Sequence, residues 1–255
     1  MPPPPDQPPR QGDRIAIPGD YQARAAAEGF VVQRFWHAMK TRQIGRVLPP
    51  PPRATVLDIG CGSGVIANFL ARRARTVHAV DANPDAIEYA RAHAAGDNLH
   101  LHLGLANEMD FEPGAFDRIY CMELIEHLHR PQVTELLRLI RRLLAPGGRA
   151  LITTPNCAGP WPAIEWTMDA LHLAPRMADD QHVSRFTARR LQAAAAEAGL
   201  EVIKVGRFCG LAPFLSVLSW KLALAATRLE EALATPLGNL LYAVLGKQQI
   251  TNVEY

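Results

Sequence analysis

Apolar positions change their period twice along the chain. From Tyr21 to Leu48 the composition is helix-forming, with Phe30, Val31, Phe35 and Met39 recurring near helical spacing, and the proline run at 49–52 stops the pattern. From "ATVLDIG" onward, short β-branched apolar runs alternate with longer helical stretches, the pattern of βαβ units and a parallel sheet. Strands are expected at Thr55–Ile59, Thr76–Asp81, Leu99–Leu103, Asp117–Met122, Arg149–Thr153 and Leu200–Val205. The helices between them are expected at Gly64–Arg73, Pro84–Ala95, Pro131–Leu144 and Thr187–Ala198, the last with Thr187 as N-cap and Gly199 as its stop.

The last fifty or so residues break this rhythm, being much more apolar than the rest. Lys221 interrupts the first apolar run, and the second is too short to span a bilayer. Three readings fit: a helical cap buried against the domain or a dimer partner, a helical pair resting on a membrane or lining a lipophilic tunnel, and a transmembrane helix. "QQITNVEY" is expected to return as a last strand over 247–255, which makes 208–246 an apolar helical insertion. The remaining divisions are a proline-rich disordered tail at 1–20, a helical lid at 21–52 and a core at 53–207.

Composition narrows the setting. With 255 residues, 48% of them apolar, the chain can bury one large core. Its 27 basic and 25 acidic residues are mixed, net +2, without the basic face of a nucleic-acid binder. Cys61, Cys121, Cys157 and Cys209 lie far apart with no C-x-x-C pair, so neither a zinc knuckle nor a disulfide framework is indicated. A reduced, cytoplasmic setting fits, with peripheral membrane contact through 208–246 as a further expectation.

The chemistry starts at "VLDIGCGSG". Gly60, Gly62 and Gly64 follow a strand and precede a helix, so the backbone can turn tightly and a ligand can approach closely. Asp58 lies two residues before the first glycine, and Asp81 ends the next strand about twenty residues on, where a carboxylate can accept from both hydroxyls of a ribose. Together "VLDIGCGSG", "VDANPDAI", "FEPGAFDRIYCMELIEHL" and "LLAPGGRALITTPN" resemble, in order and spacing, the class I S-adenosylmethionine-dependent methyltransferases. A nicotinamide dehydrogenase fingerprint, G-x-G-x-x-G, is not matched. The resemblance covers roughly 53–205 and implies a Rossmann-like, doubly wound, mainly parallel α/β sheet binding S-adenosyl-L-methionine. It implies that Gly60, Cys61 and Gly62 hold the methionine moiety, with Asp58 near its amino group, Asp81 at the ribose, Ala106 and Asn107 at the adenine, and Ala82 and Met122 among the other cofactor contacts. The family often has an acid where Leu105 stands, so Asn107 or the backbone at Ala106 must substitute.

"CMELIEHLHR" raises a second possibility. On a helical turn Glu123, Glu126 and His127 share a face, and two carboxylates with an imidazole suit a divalent ion, the histidine favouring manganese, iron, cobalt or zinc over magnesium. A fourth ligand is offered by His182 in "DDQHVSRFTARRL". Ubiquinone-biosynthesis O-methyltransferases and small-RNA 2′-O-methyltransferases resemble this pattern, and the resemblance implies the set Glu123, Glu126, His127 and His182. The competing reading makes the glutamates pocket-shaping groups and His127 or His182 a general base without metal.

The expected activity is therefore O-methylation of a catechol, phenol or diol on a small lipophilic or aromatic molecule, helped by a divalent metal. Tyr21, Trp36, Trp161 and Trp166 are candidates to line the acceptor pocket. Alternatives are a metal-independent N- or C-methyltransferase, an RNA 2′-O-methyltransferase, which the charge pattern disfavours, and a non-enzymatic module that kept the cofactor pocket. A homodimer is expected as one oligomeric option.

Overall fold

The computed structural model describes residues 18–170, 181–233 and 238–247. The N-terminal segment forms two helices, α1 (Tyr21–Ala27) and α2 (Val31–Val47), rather than one. They part at Gly29, whose N–H donates to the Arg24 carbonyl, and Phe30 starts α2. The alternating region then runs β1 (Thr55–Ile59), α3 (Val65–Ala71), β2 (Thr76–Asp81), α4 (Pro84–Ala92), β3 (Leu99–Leu103), β4 (Phe116–Met122), α5 (Arg130–Leu143), β5 (Leu144–Pro155), α6 (Trp161–Ala170), α7 (Ala188–Glu197) and β6 (Leu200–Phe208). Two helices, α8 (Ala212–Leu215) and α9 (Trp220–Leu233), precede β7 (Leu240–Lys247).

The strands make one sheet in the order β3-β2-β1-β4-β5-β7-β6, parallel except for β7, which runs antiparallel to both neighbours. The order reverses beside β1, so a crevice opens beyond the carboxyl ends of β1 and β4, where open α/β sheets bind ligands. Helices cover both faces. On one, α5 buries Val133, Leu136, Leu137, Ile140 and Leu143 at helical spacing while Arg138, Arg141 and Arg142 face water. At the start of α7, Thr187 Oγ1 accepts from the Arg190 N–H, and Gly199 after it takes φ 73°.

The C-terminal expectation needs correction. The last described strand is Leu240–Lys247, inside the span expected to be helical, and residues 248–255 lie outside the described residues, as do 1–17 of the expected tail. The physical reason is burial on both faces. Leu240 to Gly246 is buried throughout between β5 and β6, and a strand covered on both sides has no polar alternation, so by pattern it reads like a buried helix. Among the described residues of that span α8 and α9 are the helices, and no helix among the described residues is long and apolar enough to cross a membrane.

Candidate active site

The first half of the site is backbone. β1 ends at Ile59, and Gly60, Gly62 and Gly64 then take φ of 75°, 51° and 80°. At Gly62 the left-handed backbone disfavours any side chain, and a Cβ would also displace the amide end of Gln22 of α1. Asp81, at the end of β2, ties the turn down. Its Oδ2 accepts from the Gly62 N–H at 2.7 Å and its Oδ1 from the Asn83 N–H at 2.8 Å. Burial raises the Asp81 pKa above the ordinary carboxylate value, against the backbone N–H groups of Asn83, Gly62 and Ala82, which act to lower it.

Asp58 is buried, and its Oδ2 has no partner. Burial, with the Asp81 charge beside it, pushes this carboxyl up to about 7. An unpartnered buried carboxylate oxygen at a glycine turn fits an ammonium group, so these residues suit the amino-acid end of S-adenosylmethionine. Gln22, His37 and Lys40 of the N-terminal helices line the same cleft with Asp58, Gly60, Cys61 and Met122. Burial, then the neighbouring Lys40 charge, lowers His37 to about 3. At the expected adenine end Ala106 is buried and Asn107 exposed. Glu108 turns its carboxylate back to accept from the Leu105 N–H at 3.0 Å.

The second half is made of side chains from distant segments. After Met122 the chain passes through Glu123 at φ 55°, strained for a residue with a Cβ, then a 3-10 turn at Ile125–His127. Glu126 is buried, and its Oε2 accepts from Thr154 Oγ1 of β5 at 2.9 Å. The Glu126 carbonyl accepts from the Ser184 N–H at 2.9 Å, which docks the 182–186 segment on this turn. His127 Nδ1 lies 2.9 Å from the Gln181 carbonyl and His182 Nδ1 lies 2.5 Å from Glu165 Oε1. A carbonyl only accepts, so His127 carries its proton on Nδ1 and keeps a lone pair on Nε2; a neutral His182 donating to Glu165 does the same.

Ligand atoms of Glu126, His127 and His182 all lie within 4.8 Å of one another, and no other such group occurs among the described residues. Burial, with Glu123 nearby, pushes Glu126 up to about 8, while burial, with His182 nearby, lowers His127 to about 4. Two imidazoles held through Nδ1 and a carboxyl that resists ionising alone are a donor set suited to a divalent cation. Glu123 stands apart from this trio. Its Oε2 pairs with Lys40 Nζ at 2.8 Å, and its buried Oε1 has no partner.

Of the four candidate aromatics Trp161 approaches the trio, and Trp36 packs against Trp161. Trp161 lies with its ring centroid 6.1 Å from that of His182 and 5.5 Å from that of Trp36. Trp166 is 71% exposed and Tyr21 is half-buried. Residues 171–180, the rest of the expected substrate-contacting stretch, lie outside the described residues. Sequence reasoning missed Glu165, a lone acid in the apolar "WPAIEW", and Lys40, which follows His37 by one helical turn in "WHAMK". Such spacing was the available signal for Lys40; nothing local marks Glu165 as the partner of His182.

A mainly parallel sheet with one antiparallel strand, a glycine turn after β1 and an acid ending β2 define a class I, Rossmann-like methyltransferase fold. The chain belongs to the methyltransferase domain family, which matches residues 32–205, and with it to the class I S-adenosylmethionine-dependent methyltransferases. Among curated proteins it is similar to a ubiquinone biosynthesis O-methyltransferase of Xanthomonas euvesicatoria, 35% identical over 106 residues, or 40% of this chain and 44% of that protein. One of Xanthomonas campestris is 34% identical over 108 residues, 41% and 44%. The match thus spans under half the length of these relatives. Among solved structures, a chain of the complex between the Haloferax volcanii Trm112 methyltransferase activator and its methyltransferase is 21% identical with a TM-score of 0.62, covering 92% of this chain and all of that one. An S-adenosylmethionine-dependent methyltransferase from Mesorhizobium loti gives 18% and 0.58, covering 81% and 95%. At these identities the likeness speaks for the fold alone.

Proposed function

We propose that the protein transfers a methyl group from S-adenosylmethionine to a hydroxyl of a small lipophilic molecule, a catechol, phenol or vicinal diol, with a divalent cation held by Glu126, His127 and His182. The observation carrying this reading is that ligand atoms of Glu126, His127 and His182 lie within 4.8 Å of one another while each imidazole is tied back through Nδ1. Glu165 and the Gln181 carbonyl act as the outer partners that fix each ring and raise its basicity. The similarity to O-methyltransferases supports the choice of oxygen as acceptor atom.

The cofactor would supply an electrophilic methyl group, and the cation, when bound, would lower the pKa of a hydroxyl beside it toward neutrality. The chain's own work is alignment. Asp58, Asp81 and the glycine turn hold the donor at the β1 end, and the β4 turn presents the acceptor next to it, since in-line displacement requires the two to meet end-on. Trp36 and Trp161 offer an apolar wall for an aromatic ring.

The Lys40 to Glu123 ion pair favours a second reading, in which Glu123 is held by Lys40 rather than by a metal and His127, kept neutral at physiological pH, accepts the acceptor's proton without metal. Elemental analysis of wild type and His182→Ala, beside S-adenosylmethionine binding and methyl transfer to a catechol, separates the two. Near-stoichiometric metal lost in the variant, with cofactor binding intact and chelator-sensitive activity, is the expected result. Absence of metal after incubation with manganese, zinc or magnesium, with activity untouched by chelator, would overturn the metal-assisted reading.

A further inference from the structure

The described residues between β6 and β7 carry two apolar faces where a cap needs one. The inner face of α9 packs on α2: Trp220 meets Phe35 edge-on at 4.9 Å, Ala223 and Thr227 are buried, and Arg42 and Arg46 pair with Glu231 at 2.8 and 3.3 Å. The outer face is also apolar. Leu222, Leu229 and Leu233 share the outer side of α9, seven and then four residues apart, and Leu211, Phe214, Val217 and Leu218 just before it are exposed as well, all at 43–76%. So many solvent-facing large apolar side chains in one stretch exceed what scattered surface leucines explain.

Charge indicates what covers it. The exposed charges on this stretch are Lys221 and Arg228, and among the described residues neither forms an ion pair. Both acids are turned inward and satisfied: Glu230 accepts from the backbone N–H groups of Gly210, Leu211 and Ala212, and Glu231 holds the two arginines of α2. A second copy docked isologously on this face would bring like charges together with no exposed acid to offset them. An anionic lipid surface complements both the leucines and the cations.

We propose that α8 and α9 are a membrane-docking element lying flat on an anionic phospholipid bilayer, with the exposed leucines in the acyl boundary and Lys221 and Arg228 at the headgroups. Its location gives the contact a use. Phe208 and Pro155 both pair with Leu240, so the segment leaves and rejoins the sheet at the carboxyl edge of β5, the edge that carries the candidate site. Because α9 also holds α2, docking places the helix bearing His37 and Lys40 at the lipid interface, where a lipophilic acceptor would partition. The docking itself does not depend on the proposed reaction.

The test is flotation of the full chain with phosphatidylcholine vesicles, with and without phosphatidylglycerol. Wild type should float with the anionic vesicles and bind about tenfold less to phosphatidylcholine alone or in high salt. The double variant Leu218→Glu, Leu222→Glu should lose vesicle binding about tenfold or more while its melting temperature and S-adenosylmethionine binding stay at wild-type values. Lys221→Glu with Arg228→Glu should erase the preference for anionic lipid. Failure of the wild type to float would overturn the proposal, and so would equal binding to both vesicle types. A wild-type dimer that the leucine variant converts to monomer, without lipid binding, would overturn it too, by showing that a second copy covers the face.

Discussion

Between Gly62 and Asp81 nineteen residues and one neighbouring strand make a cofactor surface, whereas the trio Glu126, His127 and His182 needs the β4 turn, the 181–186 segment and Glu165 of α6 together. The first surface is mostly backbone: N–H groups, glycine φ angles and a carboxylate that binds the turn before it binds any ligand. The second consists of side chains whose positions are fixed by other side chains. The first should therefore fail by losing one contact, and the second by losing the geometry of a ring that is itself unchanged.

Asp81→Ala should show the largest effect. It removes the acceptor for the Gly62 and Asn83 N–H groups as well as the proposed ribose partner, and each buried donor left unpaired costs about 1–3 kcal/mol. Calorimetry should show S-adenosylmethionine affinity reduced about a hundredfold, with metal content unchanged if the two halves are independent. Loss of metal in the same variant would break the comparison.

Glu165→Gln is the counterpart. The amide keeps the size and can still accept from His182 Nδ1, but the anion that raises ring basicity is gone. Metal affinity should fall about 10- to 100-fold, the usual effect of losing an outer partner. Cofactor affinity should not move. If metal binding survives intact, Glu165 serves packing and the pair at 2.5 Å is incidental.

These two residues also show why one half was legible in the sequence and the other only partly. Asp81 ends a strand whose apolar run is visible, at a distance from the glycines set by one βαβ unit, so its place follows from local pattern. Glu126 and His127 were visible for the same reason, sitting just past β4. His182 was reached by resemblance, and Glu165 not at all, because its pairing depends on how α6 packs. Glu123, expected among the ligands by helical spacing, sits instead at φ 55° before the turn begins, so its side chain leaves the shared face and meets Lys40. The strand found within the segment read as helical has a similar origin: β7 is covered on both sides, and burial erased the alternation that would have marked it.

Titration should separate the halves more gently. Asp58 and Glu126 are held near 7 and 8, above the ordinary carboxyl values of 3.8 and 4.5, so the folded chain keeps protons that the unfolded chain releases. Each therefore costs stability as pH rises through its window. His37 and His127, lowered to about 3 and 4, act oppositely, adding stability as pH rises toward 6.5. Above 6.5 only the carboxyl effect remains, so the metal-free protein should melt lower at pH 8 than at pH 6.5. Glu126→Gln should flatten part of that slope, and a bound divalent cation should flatten the same part by replacing the proton. A slope indifferent to both would place its origin in the carboxyls of the glycine turn, Asp58 and Asp81.

The smallest expected effect tests the boundary between the halves, at Lys40. This lysine lines the cofactor cleft through α2 and holds Glu123, whose other oxygen is buried without a partner. In Lys40→Met a positive charge next to the trio disappears and Glu123 is released, so metal affinity should rise a few-fold, about 3- to 10-fold for one partly screened charge. Without metal, the variant should melt lower than wild type, because a half-buried carboxylate has lost its cation. With saturating metal the difference should shrink, since Glu123 can then turn to the ion as a fourth ligand. An equal loss of stability with and without metal, at unchanged metal affinity, would mean that Glu123 belongs to the lid. The metal half would then consist of three protein ligands, with the remaining positions open to the acceptor.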